Sequence, residues 1–207
     1  MKKIFFLLFF TLISINAYAG CDDPIGDGVD YTNCRFSDGQ DLAGSYLPNS
    51  NLSFASFVQV NLDKSIMMNS NLSFGTFPES TFVRANLYET ISIGGNFEKT
   101  NFTNANLTRV DFMGATLIEA NFQNANLMEA NFTSANITNA NFENANLAKV
   151  NFEGANLFTS SFKGANLYEA NLLGANISGA IFDEANLSSA IWVDGKKCAL
   201  GSIGTCN

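Results

Sequence analysis

From about residue 41 to residue 192 a large apolar residue recurs at every fifth position but one, those numbered with a final 2 or 7. A small residue stands two places before it, at positions ending in 0 or 5. Ala120-Asn121-Phe122-Gln123-Asn124 is followed by Ala125-Asn126-Leu127-Met128-Glu129, then by Ala130-Asn131-Phe132-Thr133-Ser134. Such a period fits neither an α-helix nor a plain strand, whose side-chain periods are about 3.6 and 2.0. The large and small residues must face one interior. The other three positions, mostly Asn, Ser, Thr, Glu, Gly and Lys, face water. A chain that turns one corner per five residues closes a four-sided coil in about twenty, and stacked coils pair as parallel strands roughly 4.8 Å apart.

The columns formed by residues twenty apart support that closure. Phe82, Phe102, Phe122, Phe142, Phe162 and Phe182 fall on one line, and Met67, Leu87, Leu107, Leu127, Leu147, Leu167 and Leu187 on another. A third line runs Phe112, Phe132, Phe152, Leu172, Trp192, and a fourth Leu117, Ile137, Leu157, Ile177. A three-sided coil of fifteen residues would mix Phe and Leu in every column. A disordered low-complexity tract is excluded by the twenty Phe, because disorder goes with few aromatics and low hydrophobicity.

The phrase resembles the pentapeptide repeat family, whose motif is written A-(D/N)-L-x-x, over residues 41–192. The resemblance implies an all-β, right-handed quadrilateral parallel β-helix, here of about seven to eight coils. It also implies that the C-terminal end is the place where two copies would join as a homodimer. Some members are acidic rods that mimic a DNA duplex and inhibit DNA gyrase.

Residues 1–19 read as an export signal. Lys2 and Lys3 precede the apolar run Ile4 to Ile15, and Ala17-Tyr18-Ala19 supplies a small-residue cleavage site. The apolar run is about twelve residues, short of the roughly twenty needed to span a bilayer. The mature chain is expected to begin at Gly20 and to be periplasmic or secreted. A membrane tether arises only if Cys21 is lipidated. Residues 20–40 form a non-repetitive leader, and residues 193–207 a tail that stops the repeat. Four Cys in an exported chain allow three pairings. The coils separate the two ends by roughly 35–40 Å, and a disulfide needs Cα atoms within about 7 Å. Cys21 with Cys34 and Cys198 with Cys206 are therefore the expected pairs, each fastening one end.

Within the repeat, residues 63–95 are degenerate. Pro78 is expected to remove a ladder donor. Ser92 takes an interior position that should be apolar, and Gly94 and Gly95 follow it. Two readings stand here: decayed repeats tolerated because neighbouring coils hold them, with room for local bulges, or a loop or binding feature grown from the solenoid. On one outer wall Glu89, Arg109, Glu129, Lys149 and Glu169 alternate in sign at twenty-residue steps, a pattern that supports strand pairing. The Asn before each large residue is placed to form stacked amide ladders.

The chemistry that remains is sparse. The chain has no His, which excludes a Ser-His-Asp or Cys-His arrangement. Zinc sites favour close Cys pairs and often His, and Asp22, Asp23, Asp27 and Asp30 lack the D-x-D-x-D-G calcium loop. No catalytic residue, metal or cofactor is expected. The formal net charge is −8, and −10 without Lys2 and Lys3. The expectation is a non-enzymatic exported scaffold, structural or binding an unknown protein partner and no nucleic acid. DNA mimicry against gyrase is the alternative and an enzyme a second.

Overall fold

The computed structural model describes residue 21 and residues 23–207. The expected export signal and its cleavage site lie outside the described residues. From Asp41 to Ile191 the backbone is one continuous ladder. Asn61 pairs with Thr81, Thr81 with Asn101 and Asn101 with Asn121, each in parallel and each twenty residues on. Four such rungs, for example those at Asn101, Asn106, Asp111 and Thr116, fall in every twenty residues. Each side of the coil contributes a single paired residue, so the sides are isolated bridges and not the continuous strands that the spacing suggested. The four walls are here numbered by their residues: first 101–105, second 106–110, third 111–115, fourth 116–120, and likewise in every coil.

One bonding scheme repeats in each group of five. The first residue donates to the coil before it (Asn101 N–H to Ser80 C=O, 3.0 Å), and the second to the coil after it (Phe102 N–H to Asn121 C=O, 2.7 Å). The fourth also donates onward (Asn104 N–H to Gln123 C=O, 3.0 Å), while the fifth closes the turn (Ala105 N–H to Phe102 C=O, 3.0 Å). The third residue is left without a backbone acceptor. Its N–H turns instead to the side chain two places back, as Thr103 N–H does to Asn101 Oδ1 at 3.0 Å. The Asn therefore serves its own turn and also the ladder: Asn166 Nδ2 donates to Asn146 Oδ1 at 3.1 Å, and Asn186 Nδ2 to Asn166 Oδ1 at 3.0 Å.

This scheme corrects the expectation for Pro78. Proline lacks an N–H, but Pro78 occupies the third place, where no ladder bond is made, and its carbonyl still accepts from Gln59 N–H at 3.0 Å. The turn has a cost elsewhere. The fourth residue is left-handed throughout, with φ of 59° at Phe54, 54° at Glu89 and 60° at Lys149. That conformation costs an L-residue roughly 1–2 kcal/mol, and the ladder bonds on either side offset it.

The interior takes the large and small residues as the spacing requires. Phe102, Phe122, Phe142, Leu107, Leu127, Ala105 and Ala125 are all buried. Phe rings lie flat on one another along the axis: Phe122 to Phe142 at 4.7 Å and 3°, Phe142 to Phe162 at 5.0 Å and 3°. In the first half a second aromatic stack, Phe57, Phe77 and Phe97, runs up the fourth wall. Above it that wall carries Leu117 and Ile137, and the stack moves to Phe112 and Phe132 on the third wall. Phe97 meets Phe112 edge-on at 5.2 Å and 79°, where the crossing takes place.

The degenerate stretch is held in the ladder by its neighbouring coils, with neither a bulge nor a loop, and it is where the aromatic stack crosses. Bridges run through it unbroken, from Asn71 to Ile91 and from Ile91 to Asp111. Ser92 is the small residue on the third wall one coil below Phe112, and it is fully buried. Gly75 and Gly95 admit the fourth-wall rings: a Cβ on Gly95 would stand 2.6 Å from Phe97 Cε2, and one on Gly75 2.7 Å from Phe77 Cε2. Buried hydroxyls at other small positions have a use that periodicity does not reveal. Thr100 Oγ1 donates to Phe77 C=O at 2.7 Å and Ser160 Oγ to Ile137 C=O at 2.6 Å, tying each coil to the turn of the one before. Among the described residues the hydroxyls of Ser65 and Ser92 have no such partner.

Both ends are closed. Cys21 is bonded to Cys34, and Cys198 to Cys206. The leader joins the ladder before the clear repeat begins, with Asp30 paired to Asn51 and Arg35 to Ser56. Tyr31 is buried beneath the first coil and donates its hydroxyl to Asp23 C=O at 2.7 Å. The tail reverses direction and pairs antiparallel, Ile191 with Lys197 and Asn186 with Ile203.

Replacing an unpaired buried hydroxyl by hydrogen removes a desolvation cost. Ser65→Ala and Ser92→Ala are therefore each expected to raise unfolding stability by about 1 kcal/mol in urea melts. Gly95→Ala is expected to lower it by about 1–3 kcal/mol through overpacking. Phe97→Leu in the same chain should recover part of that loss; equal losses in both would count against the ring contact.

Candidate binding walls

The alternating charges stand on the second wall, where Arg109, Glu129, Lys149 and Glu169 are exposed and Glu89 is half-buried. Arg109 is the centre of one cluster: its Nη1 lies 2.9 Å from Glu89 Oε1 and its Nε 2.9 Å from Glu129 Oε2. Tyr88 donates its hydroxyl to Glu89 at 2.8 Å. Lys149 and Glu169 form a separate, looser pair at 3.9 Å. The column is thus brought together in two pieces, three residues and two. The Tyr88 hydroxyl, and after it Arg109, hold the Glu89 carboxyl below its ordinary value. Glu129 first, then Tyr88 and Glu89, raise Arg109 further above its ordinary value. The arrangement neutralises much of the charge on this wall of an acidic chain. Among the described residues no group of three or more Cys, Asp or Glu is placed to hold a metal ion.

The third wall is different in kind. Residues 51–55, 71–75 and 91–95 contain no charged side chain. Phe54 and Phe74 stand on it 56% and 52% exposed, stacked on each other at 5.2 Å and 15°. Ile91 and Met113 extend the apolar surface upward. Gly94 lies over Phe74, close enough that a Cβ there would stand 2.7 Å from the ring. Of the residues singled out in the degenerate stretch, Gly94 belongs to this surface, Ser92 and Gly95 point into the core, and Pro78 is on the neighbouring fourth wall. Phe54 and Phe74 are invisible to the periodicity because they occupy an outward place where the pattern assigns no type. The signal was present as two Phe twenty apart and out of register with the core.

The C-terminal end carries a second exposed group. Leu200 is 80% exposed and Ile203 55%. Ile181 is also exposed, and Ile177 is only partly buried.

The acid response of the charged cluster has a definite sign. A carboxyl held below its ordinary value of 4.5 contributes stability above that value and loses it as pH falls through the lowered one. The melting-temperature advantage of the wild type over Glu89→Gln should therefore be constant from about pH 7 to about pH 5 and shrink on further acidification.

Residues 41–73, 80–117, 95–133, 125–164 and 160–191 match the sequence pattern described as pentapeptide repeats, in eight copies. A trypsin-treated variant of QnrB1, a plasmid-mediated fluoroquinolone resistance protein, is similar in structure at 16% identity and a TM-score of 0.53, over 86% of this chain and 90% of its own. A second trypsin-treated QnrB1 variant matches at 13% identity and a TM-score of 0.51, over 75% and 89%. HetL, a pentapeptide repeat protein involved in heterocyst differentiation regulation from the cyanobacterium Nostoc sp. strain PCC 7120, is 23% identical with a TM-score of 0.38, over 83% and 92%. At these identities the likeness concerns the fold alone. No curated protein is similar enough in sequence to match this chain. Proteins of this kind fold as right-handed quadrilateral β-helices. With most of its length matched by the repeat and the bonding scheme continuous through it, the chain belongs to the pentapeptide repeat family.

Proposed function

We propose that this protein is a non-enzymatic exported scaffold of about seven to eight coils that binds a protein partner through its third wall. One observation carries the reading: stacked, exposed Phe54 and Phe74 with Ile91, on three successive coils of the third wall that carry no charged side chain, in a chain of net charge −8. Contiguous exposed apolar surface is costly in water and marks contact sites. Export is supported by the signal-like first nineteen residues and by the two Cys pairs, which suit an oxidising compartment. A Cys21 engaged with Cys34 speaks against a lipid anchor at that residue.

DNA mimicry is the second reading, favoured by the acidic balance of the chain. The paired charges around Arg109 and the uncharged lower coils of the third wall weigh against a uniform phosphate-like stripe.

In-cell photo-crosslinking separates these readings. A crosslinker at Ile93 should give a discrete protein adduct that Phe54→Asn with Phe74→Asn abolishes, while a crosslinker at Asn124 on the first wall gives none. Equal labelling from both walls would overturn the third-wall assignment. Fractionation with mass spectrometry of the N-terminus should find a soluble exported chain beginning at Gly20. A reduced, uncleaved cytoplasmic chain that inhibits gyrase supercoiling would favour mimicry.

A further inference from the structure

The ladder has a polarity, and each end keeps the groups that a next coil would use. At the C-terminal end the N–H groups of Ile177, Gly179, Phe182 and Glu184 have no backbone partner among the described residues. In every lower coil the equivalent groups donate onward, as Phe162 does to Ile181 C=O at 2.7 Å and Gly164 to Asp183 C=O at 2.8 Å. At the N-terminal end the C=O groups of Arg35, Asp41 and Ala43 are the counterparts, again without a backbone partner among the described residues. Donors left over at one end and acceptors left over at the other share the fourth and first walls; on the second, Ser189 N–H and Tyr46 C=O are also without a backbone partner among the described residues. Unpaired strand edges are templates for pairing with another chain.

We infer that the two ends form a head-to-tail interface between copies of this chain, which the disulfide-closed loops hold shut. In the joint, Ile181 of one copy takes its rung beside Asp41 of the next, as Ser161 does beside Ile181 within the chain. Phe182 N–H then donates to Asp41 C=O and Glu184 N–H to Ala43 C=O. The contact is heterologous, so it repeats without closing and yields a filament. Two loops prevent it. The tail covers the second and third walls of the last coil: Leu187 N–H donates to Ser202 C=O at 2.9 Å, and Cys198 N–H to Ala190 C=O at 2.8 Å. The leader covers part of the other end, where Gly28 N–H donates to Pro48 C=O at 2.9 Å and Cys21 is bonded to Cys34. Neither end can approach to rung distance, roughly 4.8 Å, while both loops stand in place. A joint between two C-terminal ends differs in kind, because it sets donors against donors and stops at two copies.

The test uses the whole mature chain with each loop opened separately. Cys21→Ser with Cys34→Ser opens the N-terminal loop. Cys198→Pro with Cys206→Ser opens the tail and also removes the N–H given to Ala190. Circular dichroism and thermal melts first establish that each is folded. By analytical ultracentrifugation each variant alone should remain monomeric, and an equal mixture should form one-to-one dimers. All four substitutions together should give unbranched filaments by electron microscopy. Chemical reduction of the folded wild type opens both loops without any substitution and should give the same filaments. In the four-site background Ile181→Asp, set against Asp41, should abolish growth, and Ile181→Lys should promote it. Folded four-site or reduced protein that stays monomeric would overturn the inference. So would dimers of the tail-opened variant alone, or filaments indifferent to the charge at position 181. None of these results bears on the third wall, so the proposed partner site stands or falls separately.

Discussion

Five residues per side leave room inside the coil for one large and one small side chain, and the rest of the structure depends on that limit. Interiors pack at crystal-like density, so the cross-section admits little variation in volume. A wide ring on one wall requires a small neighbour on the same or the adjacent side. Gly75 beside Phe77, Gly95 beside Phe97 and Ser92 near the crossing to Phe112 are instances of this one requirement. What looks like decay in the repeat is volume exchanged between walls as the aromatic stack changes side.

The same geometry divides the backbone labour. Four of the five N–H groups are committed to the ladder or the turn, and the fifth is served by the Asn side chain. That is why Asn and Asp dominate the first place, where a side-chain oxygen can accept from the residue two places on, and why the third place tolerates Pro. It also explains the cost accepted at the fourth place, where residues as large as Phe54 and Phe74 are held left-handed. The coil cannot turn its corner otherwise, and each corner is secured by bonds from the coils on both sides. Stability of this kind belongs to neighbours in contact and not to any coil alone.

A ladder that can always accept another rung makes its ends the points of hazard. Here both are finished by sequence outside the repeat and fastened by a disulfide, Cys21–Cys34 below and Cys198–Cys206 above. The outer walls are then free to differ. Charges gather and pair on the second wall around Arg109, while the third stays uncharged and aromatic over its lower coils.

The sequence by itself determined the interior. Columns such as Phe102, Phe122 and Phe142 are legible because identical side chains at a fixed spacing have one way to share a core, and the pairing of the cysteines follows from the length of the stack between them. The tertiary structure alone decided the rest: that Pro78 sits where no bond is lost, that Ser92 belongs to a crossing of aromatic stacks, and that Phe54 and Phe74 meet on the surface. Each of these depends on which atoms of neighbouring coils come within contact distance. A period along the chain states which residues stand above one another, but not how far their side chains reach.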